Sequence, residues 1–307
     1  MNTLAGRDIL SMADFTPAEI HALLDLARQY KRGHTTPTAQ GRVLGLLFTK
    51  ASTRTRVSFS VAMMRLGGQV LDLNPSTTQI GRGEPLADTA RVLDRYLDVL
   101  AIRTFAQADV VAFAAWAQMP VINALTDREH PCQVLADLLT VQECFGDLRG
   151  LKMAYLGDGN NVSHSLMLGC ALMGITLTVA TPPQHPPDRD ILQQAQALAA
   201  APTQITHTHD PEAAVQQAQV VYTDVWTSMG QEAENQERIP RFQPYQVNEA
   251  LLQKADPQAI VLHCLPAHRG EEITEAVLEG RQSRVWDQAE NRLHAQQALL
   301  AHVLGLV

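Results

Sequence analysis

The sequence predicts an α/β protein of two domains, each a mostly parallel sheet with helices on both faces. Three observations predict it. The chain has 307 residues, more than one hydrophobic core comfortably organises. Short apolar runs alternate with segments of helical period along most of its length, the pattern of strand–helix–strand units. The alternation pauses between Gly146 and Gly150 and then begins again. We therefore expect one domain over residues 1–146 and a second over 147–288, with the terminal helix, 289–307, packing back on the first.

The elements follow in order. Thr16-Pro17-Ala18-Glu19 is a capping box with Pro at the first helical position, and Ile20, Leu23, Leu24 and Ala27 form the buried stripe of a helix that Gly33 ends. Val43 to Phe48 is an apolar run with the look of a buried strand. A helix follows, with Val57, Val61, Ala62 and Leu66 at helical spacing, until Gly67-Gly68 stops it. Further strands are expected at 69–73, 99–103 and 121–124, with helices over 86–96, 107–117 and 131–145. In the second half, strands fall at 152–156, 176–180, 204–207, 220–223 and 259–263. Helices are expected over 162–173, 189–200 and 289–306. The run Thr181 to Pro187 is a Pro-rich loop, because periodic structure resumes on both sides of it.

Composition excludes several function classes. With 46% hydrophobic and 18% charged residues the chain is ordinary for a soluble protein, and its net charge of −8 argues against nucleic acid or an anionic membrane as partner. No apolar stretch reaches the length of a membrane span. The four cysteines, Cys132, Cys144, Cys170 and Cys264, form no CxxC pair, and the N-terminus resembles no signal peptide. A reduced, cytoplasmic chain is expected.

The stretch with the most chemistry is Ser52-Thr53-Arg54-Thr55-Arg56, between a strand end and a helix start. The first turn of a helix leaves backbone N–H groups without partners and carries partial positive charge. Two Ser/Thr caps and a guanidinium that can fork onto paired oxygens make this a phosphate cradle. Five consecutive polar donors exceed what capping alone requires. Lys50, Arg54, Arg56 and Arg65 concentrate positive charge here in an acidic protein.

Other constellations stand at strand ends. Gly157-Asp158-Gly159-Asn160-Asn161-Val162 invites a dinucleotide reading, but Val162 replaces the third glycine and no clear acidic residue ends the next strand. A glycine turn with an Asn cap, or a ligand site offering Asn161 and helix N–H groups, remain. His130 precedes Pro131 at a helix start and can either cap or donate to a developing oxyanion, with Gln133 one turn on. Cys264 beside His263 is open to four readings: nucleophile, metal ligand, buried structural thiol or non-covalent substrate contact. Adding His268, or His207 and His209, supplies no recognised metal spacing, so no metal is expected. Asp224 at a strand end offers a carboxylate to an ammonium, and Ser228-Met229-Gly230 is a polar loop able to close.

These stretches resemble, in order along essentially the whole chain, the motifs of the aspartate/ornithine carbamoyltransferase family. Residues 48–56 are similar to its carbamoyl phosphate signature, with Thr49 where the family usually carries Glu. Glu129 to Gln133 resembles its His-Pro-x-Gln motif, and Glu290-Asn291-Arg292 its late arginine. His263 to Glu272 and the Ser-Met-Gly loop resemble the ornithine branch. The resemblance implies a carbamoyl phosphate-binding first domain and an ornithine-binding second domain, with catalysis in the cleft. It implies that Ser52, Thr53, Arg54 and Thr55 hold the phosphate, with Gln79 on a loop reaching a neighbouring subunit's site. Arg103, His130 and Thr55 would polarise the carbonyl, Gln133 and the Leu265 backbone would orient the carbamoyl nitrogen, and Arg292 would reach the same site. Asn161, Asp224, Ser228 and Met229 would hold ornithine, with Cys264 near its side-chain amine and also in contact with carbamoyl phosphate. The catalytic set would be Arg103, His130, Asp224 and Cys264. A homotrimer or a multiple of it is implied, and no cofactor. The alternatives are transfer to another amine such as putrescine, or a non-catalytic sensor of phosphorylated metabolites.

Overall fold

The computed structural model describes residues 3–34, 38–74, 78–79, 83–227 and 235–307. It divides into two compact units, one of residues 1–139 with 290–307 and one of residues 140–289. The C-terminal segment thus belongs with the first unit.

The first unit opens with a capping box at Ser11 and a second at Thr16, which starts helix α1 (Pro17–Lys31). Its sheet contains β1 (Val43–Phe48), β2 (Gln69–Asp72), β3 (Val99–Arg103) and β4 (Val121–Leu125) in the order β2-β1-β3-β4, every pair parallel. Between them run α2 (Arg54–Arg65), α3 (Leu86–Leu93) and α4 (Gln107–Ala114), and α5 (Pro131–Phe145) follows β4. β3 is buried along its whole length, as in a sheet covered on both faces. Leu47, Leu100, Ile102, Val110, Phe113 and Val121 share one core cluster of this unit. The helix predicted over 86–96 ends at Leu93, where the Asp94 carboxylate accepts the N–H groups of Gln118 and Met119, both at 2.6 Å.

The second unit holds β5 (Lys152–Leu156), β6 (Thr176–Ala180), β7 (Ile205–Thr208), β8 (Val220–Thr223) and β9 (Ile260–His263), all parallel, in the order β7-β6-β5-β8-β9. Helices α6 (Asn161–Met173) and α7 (Arg189–Leu198) accompany the first strands. Four further short helices follow: α8 (Pro211–Val215), α9 (Asn235–Phe242), α10 (Glu249–Leu252) and α11 (Glu275–Leu278). Helix α12 (Val285–Val303) completes the chain and begins earlier than the predicted 289.

Both sheets share one topological feature. In each, the first strand lies inside the sheet, with its successor on one side and a later strand on the other. The chain therefore leaves β1 and β3, and likewise β5 and β8, in opposite directions. Such a reversal opens a crevice beyond the carboxyl ends of the two strands, the usual ligand position in open α/β sheets.

Candidate functional site

At the β1/β3 crevice, β1 is followed by residues 49–53 and the N-terminus of α2, while Phe48 pairs with Arg103 at the end of β3. The expected Ser/Thr capping of α2 is corrected by the structure. Thr53 occupies the N-cap position in a helical conformation and makes no capping hydrogen bond. A side chain folded back onto the first turn would cover the N–H groups that an anion needs, so this geometry suits a cradle better than a cap. Arg54 is exposed, whereas Thr55 is buried.

Thr55 is held from a distant part of the chain. Arg292 donates to Thr55 Oγ1 through Nη2 at 2.9 Å and to Gln133 Oε1 through Nη1 at 2.6 Å. Gln133 in turn donates to Asp137 Oδ1 at 2.8 Å. Arg292, expected to reach the phosphate site, thus orients two other candidates, and Asp137 anchors the group. Sequence reading had no signal for Asp137 beyond its place one turn after Gln133.

His130 precedes α5 and is buried beside Arg103, itself 8% exposed. Burial pushes the imidazole pKa well below the usual histidine value, and the guanidinium groups of Arg292 and Arg103 push it further. His130 is neutral at physiological pH and can donate a hydrogen bond without carrying charge. The neighbouring Cys132 is a buried thiol pushed up to about 12, chiefly by burial, so it stays protonated. Thr49, the departure from the family pattern, donates its backbone N–H to the Arg103 carbonyl at 2.8 Å, and its hydroxyl lies 3.2 Å from Thr104 Oγ1. Burial and the Arg103 charge lower the pKa of Lys50, whose ammonium sits 4.0 Å from the Phe105 ring centroid. Gln79 is exposed, and its carbonyl accepts the Glu84 N–H at 3.2 Å.

The β5/β8 crevice is built by Gly157 to Asn161 after β5 and by Asp224 after β8. Asn160, not Asn161, is the joint. Its Oδ1 caps α6 by accepting the N–H groups of Val162 and Ser163, and its Nδ2 donates to Asp224 Oδ2 at 2.8 Å. The predicted ligand residue Asn161 stands at the first position of α6, half-buried. Tyr155 donates to Asn160 Oδ1 at 3.2 Å. Gly159 is required here, since a Cβ would lie 2.3 Å from the Pro186 carbonyl carbon and from the Pro187 nitrogen.

Cys264, just past β9, donates its thiol to Asp224 Oδ1 at 2.8 Å. Asp224 is buried, yet a carboxylate has about four acceptor positions and can still take an ammonium. Leu265 follows in the left-handed region, φ 58°, and its N–H donates to His263 Nδ1 at 2.8 Å. His263 Nδ1 is therefore the acceptor of the ring, and Nε2 carries the proton toward Glu272 Oε1 at 2.9 Å. With both nitrogens engaged, His263 supports the turn that presents Cys264 and Leu265. A buried ion pair lies behind the crevice. Arg238 on α9 donates to Asp158 Oδ2 at 2.6 Å and to the Trp226 carbonyl at 2.7 Å. Burial pushes Asp158 up to about 6, even though the Arg238 charge pulls the other way. In the sequence Asp158 is visible only as part of a glycine turn, and nothing singles out Arg238. Ser228 and Met229 lie outside the described residues. Of the residues expected at the carbamoyl phosphate site, Cys264 and Leu265 belong to the second unit and the others to the first.

Residues 7–143 match the family "Aspartate/ornithine carbamoyltransferase, carbamoyl-P binding domain", and residues 149–303 match "Aspartate/ornithine carbamoyltransferase, Asp/Orn binding domain". The ornithine carbamoyltransferase of Thermosynechococcus vestitus is 65% identical over 99% of this chain and 98% of its own. Among solved structures, ornithine carbamoyltransferase from Gloeobacter violaceus is 55% identical with TM-score 0.91, covering 99% of this chain and all of that one. That from Pyrococcus furiosus is 49% identical with TM-score 0.95, and 99% of each chain is covered.

Proposed function

Since the chain belongs to the aspartate/ornithine carbamoyltransferase family, we propose that it transfers the carbamoyl group of carbamoyl phosphate to the side-chain amine of L-ornithine. The products are L-citrulline and phosphate, a step of arginine biosynthesis. The observation that carries the reading is chemical. Two crevices bear complementary equipment, anion donors with a neutral imidazole in one and a buried carboxylate beside a thiol in the other.

In the transfer, the lone pair of the amine attacks the carbonyl carbon, the bond from that carbon to the bridging phosphate oxygen breaks, phosphate leaves with the electrons, and a proton of the attacking amine passes to the departing phosphate. The N-terminus of α2, with Ser52, Thr53 and Arg54, holds the phosphate and takes up the charge that grows on it. Arg103, neutral His130 and Thr55 donate to the carbonyl oxygen as it becomes an oxyanion. Gln133 orients the carbamoyl nitrogen, aided by the Leu265 backbone, and Arg292 keeps Thr55 and Gln133 aimed. Asp224 takes the α-ammonium of ornithine, together with Ser228 and Met229, while Asn161 takes the carboxylate. Cys264 sits by the reacting amine, which must arrive neutral although its reference pKa is ~10.4. Positioning and electrostatics suffice for such a transfer.

The assembly we propose is a homotrimer or a multiple of it, with Gln79 of one subunit serving its neighbour. A cytoplasmic location fits four free thiols. Among the described residues, no helix is long and apolar enough to cross a membrane.

A colour assay for citrulline on the purified chain tests the activity. Product that requires both carbamoyl phosphate and ornithine is expected. Phosphate and carbamoyl phosphate binding without citrulline would instead identify a sensor of phosphorylated metabolites.

A further inference from the structure

A cluster in the second unit lies outside the residues used above. One ring nitrogen of His268 and one carboxylate oxygen each from Glu271 and Glu272 lie within 4.8 Å of one another. All three come from a five-residue turn, which Gln246 braces by donating to the Gly270 and Glu271 carbonyls at 2.9 and 2.8 Å. Glu272 is fully buried. Its Oε1 accepts from His263 Nε2 and from the His268 backbone N–H, the latter at 2.6 Å. Among the described residues, its Oε2 accepts no hydrogen bond, and neither does the solvent-shielded Oε2 of Glu271.

Two carboxylates of one turn, each with an oxygen shielded from solvent and without a hydrogen bond among the described residues, require a positive partner or an N–H donor. The nearest arginine in sequence does not supply it, because Arg269 turns to Glu275 and Glu279 at 3.3 and 2.8 Å. His268 Nδ1 stands 3.7 Å from Glu271 Oε2, beyond hydrogen-bond distance. One imidazole and two carboxylates make a mixed nitrogen and oxygen set, which suits a borderline divalent transition ion better than magnesium.

We propose that His268, Glu271 and Glu272 bind a divalent cation of the Mn²⁺, Co²⁺ or Zn²⁺ class. The buried Glu272 anchors it, and the partly exposed His268 and Glu271 give it a path from solvent. Through Glu272 and His263 the ion is linked to the turn bearing Cys264 and Leu265, so it braces that turn. A second group, Asp224, His263 and Cys264, also has metal-like spacing. There, however, both His263 nitrogens are already engaged and Asp224 accepts the thiol, so it does not compete without breaking those bonds.

Mn²⁺ is the probe, since it favours oxygen and nitrogen over thiolate. The full chain, stripped with chelator and free of substrates, is titrated with Mn²⁺ alone. The paramagnetic signal of the free ion reports binding, and a thermal melt reports stabilisation. Expected are one ion per chain and a raised Tm. Glu271→Gln and His268→Ala should each bind at least about tenfold more weakly while melting like the wild type without metal. Cys264→Ser should bind Mn²⁺ as the wild type does. The proposal is overturned by no saturable binding up to about 1 mM, by unchanged binding in both turn variants, or by loss of binding in Cys264→Ser. None of these outcomes depends on the transferase reading.

Discussion

Asn160 Nδ2 donates to Asp224 Oδ2 at 2.8 Å, joining the turn after β5 to the end of β8 while Asn160 Oδ1 caps α6. One side chain therefore fixes a helix start and the carboxylate proposed to receive the α-ammonium. Asn160→Ala should cost about 1–3 kcal/mol, the lost cap plus a buried carboxylate short of a donor. Asn160→Asp keeps a capping oxygen but places a second carboxylate against Asp224. Both variants should raise KM for ornithine and leave carbamoyl phosphate binding unchanged. Urea denaturation and steady-state kinetics check this, and a loss confined to stability would make Asn160 purely structural.

The phosphate cradle is tested at Arg54. Arg54→Ala removes a charge-assisted contact worth about 1.5–3 kcal/mol, and more if the phosphate is desolvated. Affinity for carbamoyl phosphate and for inorganic phosphate should fall together by calorimetry. Unchanged affinity for both anions contradicts the cradle.

Gly159 gives a steric prediction. A Cβ there meets backbone atoms of Pro186 and Pro187, which cannot swing aside as a side-chain tip can. Gly159→Ala should destabilise by about 1–3 kcal/mol and weaken ornithine use, because Asn160 is the next residue. A melt equal to that of the wild type would contradict the packing described.

His130 predicts a pH effect of definite sign. Its folded pKa is lowered, chiefly by burial, so below about 6.5 the unfolded chain binds a proton that the folded chain refuses. Its contribution to stability is present above that pH and is lost as pH falls toward the folded pKa. The slope is about 1.4 kcal/mol per pH unit. His130→Asn should remove this slope, so wild type and variant converge in relative stability on acidification, as urea titrations at several pH values would show. A difference that does not change with pH would mean that His130 is not held neutral.

Much of this was legible in the sequence. β1, β3 and β8 match their predicted spans because strands buried on both faces are near-continuous apolar runs. β5 and β6 match as well, β6 with half-buried Thr176 and Thr178 alternating with buried Leu177 and Val179. Helices α8, α10 and α11 were missed because four or five residues show little of a helical period. At the candidate site, sequence placed the right stretches but not always the right partners. Asn160 and Asn161 are indistinguishable by composition, and only the cap geometry assigns the contact with Asp224 to Asn160. Likewise no local pattern joins Arg292 to Thr55, which lie 237 positions apart in the chain. The Asp158–Arg238 pair was invisible for the same reason.

The most direct test of the account is the ranking of kcat/KM for ornithine, lysine, putrescine, acetylornithine and aspartate, in wild type and in Asp224→Asn. Putrescine lacks the carboxylate and leaves polar groups unpaired, each costing about 1–3 kcal/mol, so two such groups give roughly 30-fold to 10,000-fold discrimination. Lysine keeps the head group but misplaces the amine by one methylene. Acetylation removes the charge that Asp224 receives, and the second carboxylate of aspartate would face Asp224. Ornithine should lead, with lysine and putrescine weak and the other two negligible, and Asp224→Asn should narrow the gap between ornithine and putrescine. A wild-type ranking led by putrescine or aspartate would contradict the assignment of this chain to ornithine.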